Sequence, residues 1–501
     1  MRADVFDLAV VGGGINGAGI AADAAGRGLK VVLLEKGDLA GGTSSASSKL
    51  IHGGLRYLEH MEFRLVREAL AEREVLLARA PHLIRPLRFV IPHAPGMRSR
   101  LMLRLGLFLY DHLAPRKVIP GSGPVDLSHD PMGRALRPEF RSGFSYYDCW
   151  VDDARLVISV ALDAAQRGAT VLTRAPVTRI AERGDIWEVT ASPQGAAPIQ
   201  IAARALVNAA GPWCAHVARL TGTVADVPAL RLVRGSHIVV PRIAGADDAY
   251  LLQNRDGRVV FAMPFEERFT LIGTTESAVT SPAEAGSVSR LEEAYLLEAA
   301  GRFFSRPIDP REIVWRFAGI RPLVEDGALS ASAVSREYRL DFRQRDGAPP
   351  LLTVIGGKIT TFRRLAEAAL ARLQPLFPAM GPAWTAGPPL PGGDVGATGM
   401  SDFLQDLARR RPGFASATLS RLATLYGTRA DLLLGDALCE ADLGEAVGAG
   451  LTQREVLFLR DHEWAGAADD VLWRRTKAGL HLSDEERTRA EVAISRLLSE
   501  R

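Results

Sequence analysis

Cysteine is scarce in this chain, and its three cysteines, Cys149, Cys214 and Cys439, lie far apart. No C-x-x-C pair is present to indicate a redox disulfide or a zinc knuckle. Metal-ligand spacing of His, Asp, Glu or Cys and the G-x-S-x-G turn of serine hydrolases are also missing. The sequence therefore predicts a protein of a reducing, cytoplasmic compartment that has no metal site.

A surplus of one charge and a long apolar run are missing as well. The 501 residues include 61 Lys and Arg against 58 Asp and Glu, which gives a formal net charge of +3. This near balance argues against a nucleic-acid partner. The sequence shows no signal peptide and no uninterrupted apolar run of about 18 residues, the length that a membrane-spanning helix needs. We therefore expect any membrane contact to be at the membrane surface.

The first fifty residues contain a glycine-rich turn. An apolar run at 8–11 leads into Gly12-x-Gly14-x-x-Gly17, a helix of small residues follows, and a second apolar run ends in Glu35. In dinucleotide-binding folds such glycines allow a tight turn and close approach of a pyrophosphate, and the acid accepts hydrogen bonds from a ribose. The order of strand, turn, helix, strand and acid predicts a Rossmann-like domain.

A stretch rich in Gly, Ser and Thr, 41–57, follows the second predicted strand. Because a flexible linker would be badly placed there, we interpret it as a loop that lines a cofactor, with Gly53 and Gly54 allowing close approach to a flat ring. A later apolar strand at 205–213 also ends in small residues and glycine, which lets a ligand pass beside the backbone. Two such strands far apart in one chain are typical of large flavin folds.

Several basic residues are candidates for the chemistry. Lys358 follows two glycines and precedes a predicted helix, where it can stabilise negative charge on a reduced flavin or reach a substrate anion. A phosphorylated substrate would need several fixed cations, and the candidates are Arg56, Arg321, Arg336 and Lys358. His52 and His237 are candidate bases for an alcohol proton, although a structural hydrogen bond explains each histidine equally well.

Residues 97–117 combine arginines with many apolar residues. Two interpretations stay open for this segment. It is either a core helix flanked by solvated arginines or a helix that lies on a membrane surface.

Longer motifs surround these residues, at 12–19, 43–59, 150–156 and 356–358, with further similar stretches at 235–241, 319–323, 461–464 and 472–477. Together they resemble the FAD-dependent, respiratory (aerobic) glycerol-3-phosphate dehydrogenases of bacteria. The resemblance covers nearly the whole chain.

This resemblance implies an FAD flavoprotein that oxidises sn-glycerol 3-phosphate to dihydroxyacetone phosphate by hydride transfer to flavin N5 and passes the electrons to membrane quinone. It also implies a homodimer that is peripherally attached to the inner, cytoplasmic face of the cell membrane. By motif position, the expected catalytic residues are Arg56, His237, Arg321 and Lys358. The expected substrate-binding residues are Arg56, Tyr57, Thr274, Arg321, Arg336 and Lys358.

The residues expected to bind FAD come from the glycine turn, the 41–57 loop, the later strand ends and the start of the helix after Lys358. They are Gly12, Gly14, Ile15, Asn16, Gly17, Glu35, Lys36, Thr43, Ser44, Ser45, Ser47, Lys49, His52, Gly53, Gly54, Leu55, Val177, Ala210, Gly211, Trp213, Gly357, Lys358, Thr360 and Thr361.

The predicted fold class is α/β, with a Rossmann-like FAD-binding domain, an antiparallel β-sheet substrate cap and a C-terminal all-α domain. We expect FAD-binding segments at 1–80, 151–220 and 313–386, and a cap or membrane-contact segment at 81–150. The substrate cap is expected at 221–312, a linker at 387–399 and the helical domain at 400–501.

Two rival functions fit the same plan. An FAD-dependent amino-acid or hydroxy-acid oxidase would pass its electrons to oxygen and would need a clamp for a carboxylate instead of a phosphate site. A membrane-docking flavoprotein whose FAD is purely structural belongs to a different functional class.

Overall fold

The computed structural model describes residues 5–94, 97–222, 229–324, 338–396 and 399–500. Its strands, in chain order, are β1 Phe6–Val11, β2 Val31–Leu34, β3 Leu50–Ile51, β4 Ile84–His93, β5 Gly123–Val125, β6 Ser142–Val151, β7 Thr170–Leu172, β8 Val177–Arg183, β9 Ile186–Ala191, β10 Ile199–Asn208, β11 Leu230–Pro241, β12 Ala249–Gln253, β13 Val259–Phe265, β14 Phe269–Gly273, β15 Ser277–Val279, β16 Trp315–Val324, β17 Arg339–Arg343, β18 Leu351–Ile355, β19 Ala446–Gly448 and β20 Leu451–Thr452.

The α-helices are α1 Ile15–Gly26, α2 Phe63–Arg79, α3 Arg100–His112, α4 Asp153–Gln166, α5 Cys214–Leu220, α6 Arg290–Gly301, α7 Phe362–Leu373, α8 Met400–Arg410, α9 Ser416–Tyr426, α10 Ala430–Leu434, α11 Gln453–Glu463 and α12 Asp484–Ser499.

The first sheet has the strand order β17-β18-β10-β1-β2-β7, and its five strands from β18 to β7 run parallel. A β8–β9 hairpin extends it from β10. Leu8, Val10, Leu33 and Val207 are fully buried, as expected for parallel strands covered on both faces. Helix α1 packs against α4 and α7. The predicted Rossmann-like domain is confirmed.

The turn between β1 and α1 depends on its glycines. Gly12 has a φ of +117°, and a Cβ added there would lie 2.5 Å from the carbonyl oxygen of Ala209. A Cβ added at Gly17 would lie 1.9 Å from the carbonyl oxygen of Gly12. Helix α1 can therefore approach the end of β1 this closely only with glycine at position 17.

The second sheet has the order β15-β11-β14-β13-β12-β4-β6-β3, with β16 on β11 and β5 on β6. All neighbours are antiparallel except β12 and β4, which run parallel. β16 was expected within the FAD-binding segment 313–386, but it pairs with β11 from Val239↔Trp315 to Leu230↔Val324. Residues 315–324 therefore belong to the cap sheet. The sequence could not show this, because strand pairing depends on contacts between distant parts of the chain.

Helix α3 forms within the basic apolar stretch 97–117. Leu103, Leu107 and Tyr110 face the core, whereas Leu101 and Phe108 are 78% and 57% exposed. The helix is therefore apolar on its outer face as well as its inner face. No described helix combines the length and the apolar character needed to span a membrane.

The C-terminal domain, α8 to α12, has its own apolar core, and the short β19–β20 ladder is its sheet. Buried ion pairs join it to the rest of the chain. Lys477 Nζ lies 3.0 Å from Asp152 Oδ1, and Arg155 donates to the carboxylate of Glu463. The domain is thus fixed to the start of α4 through charges that are hidden from water.

We expect Gly17→Ala to lower the melting temperature of the protein, because the added methyl group displaces the backbone of Gly12. Overpacking of this kind costs about 1–3 kcal/mol of unfolding free energy. Gly106→Ala in α3 is the matched control, since a Cβ there meets no atom within 4 Å and alanine favours a helix interior. Thermal unfolding followed by circular dichroism measures both. Equal melting temperatures for Gly17→Ala and the wild type would contradict the steric argument.

Candidate cofactor and substrate site

A cavity of about 930 Å³ is bounded by residues of both large sheets. Its volume lies in the range of small-molecule and cofactor sites. The predicted site residues that line it are Gly12, Gly14, Ile15, Asn16, Glu35, Lys36, Thr43, Ser44, Ser47, His52, Tyr57, Val177, Ala210, Gly211, Trp213, Arg321, Gly357, Lys358 and Thr360.

The other predicted residues that the structure describes do not line this cavity. They are Gly17, Ser45, Lys49, Gly53, Gly54, Leu55, Arg56, His237, Thr274 and Thr361. Arg336 lies outside the described residues. Gly17 allows α1 to pack closely on the end of β1. Lys49 fixes the 41–57 loop, of which it is a part, through its contact with Asp153.

The glycine turn and the start of α7 meet at Asn16. Its Nδ2 donates to the carbonyl oxygen of Gly356 at 3.0 Å. A Cβ added at Gly357 would lie 2.9 Å from this nitrogen. Gly357 also has a φ of +92°, a conformation that favours glycine. The two segments that the sequence assigned to the cofactor therefore form adjoining parts of one wall.

Glu35 ends β2 as predicted, and its carboxylate accepts two backbone hydrogen bonds. Gly13 N donates to Oε2 at 2.6 Å and Gly37 N donates to Oε1 at 2.8 Å. Burial raises the pKa of Glu35, against these backbone hydrogen bonds, which lower it. Beside it, Lys36 Nζ lies 3.5 Å from the centroid of a Trp213 ring. This end of the cavity therefore offers a carboxylate, an ammonium group and an aromatic ring.

Asp153 holds the 41–57 loop in place. Its Oδ2 accepts from the Ser47 hydroxyl at 2.7 Å and its Oδ1 accepts from Lys49 Nζ at 2.8 Å, and Lys49 and Asp153 are both fully buried. Earlier in the loop, Thr43 Oγ1 donates to the carbonyl oxygen of Ile320 at 2.6 Å, and Ser44 Oγ accepts from Ile15 N at 3.0 Å. The loop is thus a rigid part of the wall.

The candidate cations lie where the loop, the cap sheet and the start of α7 meet. Lys358 Nζ lies 3.8 Å from the ring centroid of Tyr57. A Cβ added at Gly235 would lie 2.6 Å from Thr274 Oγ1 and 3.2 Å from Arg321 Nη2. Gly235 thus gives room for a hydroxyl and a guanidinium group to converge, although Thr274 itself is outside the cavity lining.

His237 is 1% exposed and stands behind the cavity wall. Its Nε2 lies 2.9 Å from Ser48 Oγ, and Ser48 does line the cavity. Its ring stacks on Phe317 with centroids 4.8 Å apart. Burial, with the charges of Arg321 and Lys49, holds the pKa of His237 well below its usual range. His237 can therefore act on a bound molecule only through Ser48.

Some cavity residues were missing from the predicted set. Ser48 is one of five Ser and Thr residues at 43–48, Gly235 lies in the predicted cap, and Gly319 lies in the predicted FAD-binding segment 313–386. The signal that could have identified them is their position: Ser48 lies in a run of Ser and Thr, and the two glycines lie next to predicted strands. Arg474 also lines the cavity. It lies in the C-terminal domain, where the sequence shows no chemical motif.

Comparison with known proteins places these features in a family. Residues 7–363 match the family model described as FAD dependent oxidoreductase. The chain belongs to this family. Residues 383–500 match the family model described as the C-terminal domain of alpha-glycerophosphate oxidase. The chain is therefore an oxidoreductase of a flavoprotein family, and its cofactor is FAD.

Individual relatives cover almost the whole chain. It is 50% identical over 487 residues to a glycerol-3-phosphate dehydrogenase of Pseudomonas aeruginosa, covering 97% of this chain and 94% of that one. It is 48% identical over 485 residues to a D-erythritol 1-phosphate dehydrogenase of Brucella abortus, covering 97% and 96%. The fold is similar to the X-ray structure of glycerol-3-phosphate dehydrogenase from Bacillus halodurans complexed with FAD, with a TM-score of 0.74, 27% identity, and coverage of 99% and 95%.

The residues of the cavity fit FAD. Asn16 Oδ1 is buried in the wall and accepts no hydrogen bond from the part of the chain that the structure describes. Gly12 and Gly357, which both line the cavity, let its walls pack closely, because a Cβ would lie 2.5 Å from the Ala209 carbonyl oxygen and 2.9 Å from Asn16 Nδ2 respectively. A flavin's ring edge carries donors and acceptors, and its diphosphate suits the N-terminus of α1. We infer that the turn at 12–17 holds the diphosphate and that Glu35 faces the adenosine ribose.

Two buried histidines predict how stability depends on pH. Burial lowers the pKa of His237 well below 6.5 and that of His82 to about 3, with nearby arginines adding to the effect. Because the unfolded chain binds these protons once the pH falls below about 6.5, the folded protein loses stability as the pH decreases. Each histidine contributes about 1.4 kcal/mol per pH unit. We expect His237→Asn and His82→Asn each to reduce this slope by that amount.

Unfolding free energies measured by denaturant titration between about pH 6 and pH 5 test this pH dependence. His112, which is exposed to solvent, provides the control variant His112→Asn. Slopes for both buried-site variants that equal the wild-type slope would contradict the assignment.

Proposed function

We propose that this flavoprotein oxidises sn-glycerol 3-phosphate to dihydroxyacetone phosphate and passes the electrons to membrane quinone. The observation that carries the proposal is the pair of cations, Lys358 and Arg321, in the wall of the same cavity as the glycine turn. Phosphate takes charge-assisted hydrogen bonds from such groups. The names of the two closely similar relatives, both dehydrogenases of a polyol phosphate, support a substrate of this class.

The protein's own contribution is to fix the substrate and to handle its proton. Arg321 and Lys358 bind the phosphate and orient the carbon chain, so that the secondary alcohol is held in one position. Tyr57 supports Lys358 through its ring face. FAD, when bound, accepts the hydrogen of the alcohol carbon together with its electron pair.

Ser48 and His237 are placed to take the hydroxyl proton. Ser48 lines the cavity, and its Oγ lies 2.9 Å from His237 Nε2. The neutral ring of His237 has one nitrogen without a proton, which can accept from the Ser48 hydroxyl. Its lowered pKa makes the ring a weak base, so it passes a proton on instead of keeping it. We infer that the serine relays the proton and that the histidine is the base.

An outer apolar face supports membrane attachment. Leu101, Leu105 and Phe108 of α3 are 78%, 57% and 57% exposed, and Arg104 lies on the same exposed side. A helix with apolar and basic residues exposed together is typical of interfacial helices. We propose that α3 places the protein on the inner, cytoplasmic face of the cell membrane, where quinone is available, and that the protein acts there as a homodimer.

The substrate proposal is tested by anaerobic titration of the purified holoenzyme with sn-glycerol 3-phosphate. We expect the absorbance of oxidised flavin to disappear and to return when a soluble quinone is added. Lys358→Met should lower kcat/KM for this substrate by about 10- to 100-fold, because a charged hydrogen bond contributes about 1.5–3 kcal/mol. Arg183→Met, which removes an exposed ion pair with Glu188, is the control.

The titration also distinguishes the rival functions. Reduction by D-erythritol 1-phosphate but not by glycerol 3-phosphate would shift the substrate to a longer polyol phosphate. Reduction by amino or hydroxy acids, with release of hydrogen peroxide in air, would indicate the oxidase. A flavin that none of these compounds reduces would point to a structural cofactor.

Membrane attachment is tested by co-sedimentation with vesicles of phosphatidylethanolamine and phosphatidylglycerol. We expect Leu101→Glu combined with Phe108→Glu to leave the protein in the supernatant, because charged side chains oppose insertion of the apolar face. Leu291→Glu replaces an 84% exposed leucine outside α3 and serves as the control. Equal sedimentation of the α3 variant and the wild type would exclude α3 as the contact.

A further inference from the structure

The C-terminal domain reaches the wall of the cofactor cavity through one side chain. Among the described residues of 399–500, only Arg474 lines the cavity. It lies in a π-helical segment, Asp470–Arg475, between α11 and α12. π-helical insertions occur frequently at functional sites. The position of Arg474 is therefore unlike that of the domain's other arginines.

Arg474 is fixed in place by carboxylates on both sides. Its Nε donates to Asp38 Oδ2 at 2.5 Å, and its Nη2 donates to Asp470 Oδ1. Its Nη1 takes part in neither bond. Asp38 in turn accepts from both Nη atoms of the fully buried Arg475, at 2.7 and 2.8 Å. The guanidinium group is thus held rigidly at the cavity edge.

The cluster around Arg474 carries more positive than negative groups. Arg174 donates to Asp470 as well, so three guanidinium groups, those of Arg174, Arg474 and Arg475, face the two carboxylates of Asp38 and Asp470. Gly466 allows this packing, because a Cβ there would lie 2.8 Å from Arg174 Cζ. The balance favours an electron-rich group in the adjoining part of the cavity.

That part of the cavity is the end bounded by Glu35. Asp38 follows Glu35 by three residues, and Glu35, Lys36, Gly37 and Asp38 line the cavity together with Arg474. We propose that Arg474 is a cofactor-positioning residue, through which the C-terminal domain binds the adenosine half of FAD. An arginine suits this role because its planar group stacks on aromatic rings and donates to ring nitrogens and hydroxyls. The proposal rests on the proposed placement of FAD along 12–17 and Glu35.

The arrangement couples FAD binding to the docking of the C-terminal domain. If Arg474 binds FAD better when it is held by Asp38 and Asp470, then FAD stabilises that docking by the same factor. The domain is in that case part of the cofactor site and not only an appended helical unit.

Arg474→Met tests the proposal, because methionine keeps much of the side-chain volume and removes the guanidinium group. Affinities of the apoprotein are measured by fluorescence titration for FAD, and by competition for its two halves, ADP and riboflavin 5′-phosphate. We expect Arg474→Met to weaken FAD and ADP about tenfold and to leave riboflavin 5′-phosphate unchanged. Arg474→Lys, which keeps the charge but not the plane, should fall between. Arg496→Met removes an exposed ion pair with Glu445 and is the matched control.

Two results would overturn the role of Arg474. One is a wild-type affinity of Arg474→Met for both FAD and ADP. The other is an equal loss of all three ligands, which would show a general structural defect, and melting of the apoprotein identifies such a defect independently. Gly14→Asp tests the placement of FAD independently of Arg474, because it adds a carboxylate beside Ser44 in the proposed diphosphate site. Wild-type FAD affinity in Gly14→Asp would overturn the placement itself.

Discussion

Two adjacent carboxylates at the start of α4, Asp152 and Asp153, connect the three main parts of the structure. Asp153 pairs with Lys49 and accepts from Ser47, which fixes the loop at the cofactor cavity. Asp152 caps α4 and pairs with Lys477 of the C-terminal domain. Burial would raise the pKa of Asp152, but Lys477 and Lys49 hold it below its usual value. Removing one partner would leave a buried charge uncompensated, at a cost of about 3–5 kcal/mol.

The sequence predicted best what neighbouring residues determine. The turn at 12–17 and Glu35 need only a strand, a helix and a second strand in succession, and these elements lie at 6–11, 15–26 and 31–34. Asp153, in contrast, binds Lys49, which lies more than 100 positions away along the chain. Only the folded chain shows that contact.

Residues brought together by distant contacts could not be predicted in this way. β16 joins the cap sheet because it pairs with β11, and Arg474 reaches the cavity because Asp38 and Asp470 hold it. His237 was a reasonable candidate base, but its sequence context did not show that Ser48 stands between it and the cavity. The sequence left two interpretations open for α3, a core helix and a membrane-surface helix. Its buried apolar face fits the first, and its exposed apolar face is the feature that the second requires.

The position of Lys358 separates two roles that the sequence left open for it. Its ammonium group lies over the ring of Tyr57, at the end of the 41–57 loop and within the short helical turn Leu55–His60. Lys358 itself stands at the start of a short 3₁₀ turn, Ile359–Thr361, that leads directly into α7. The N-terminus of α7 carries partial positive charge. The helix end can therefore stabilise negative charge on a reduced flavin without the side chain. We propose on this basis that the Lys358 ammonium group binds the substrate phosphate together with Arg321, and that the ring of Tyr57 supports the lysine side chain there.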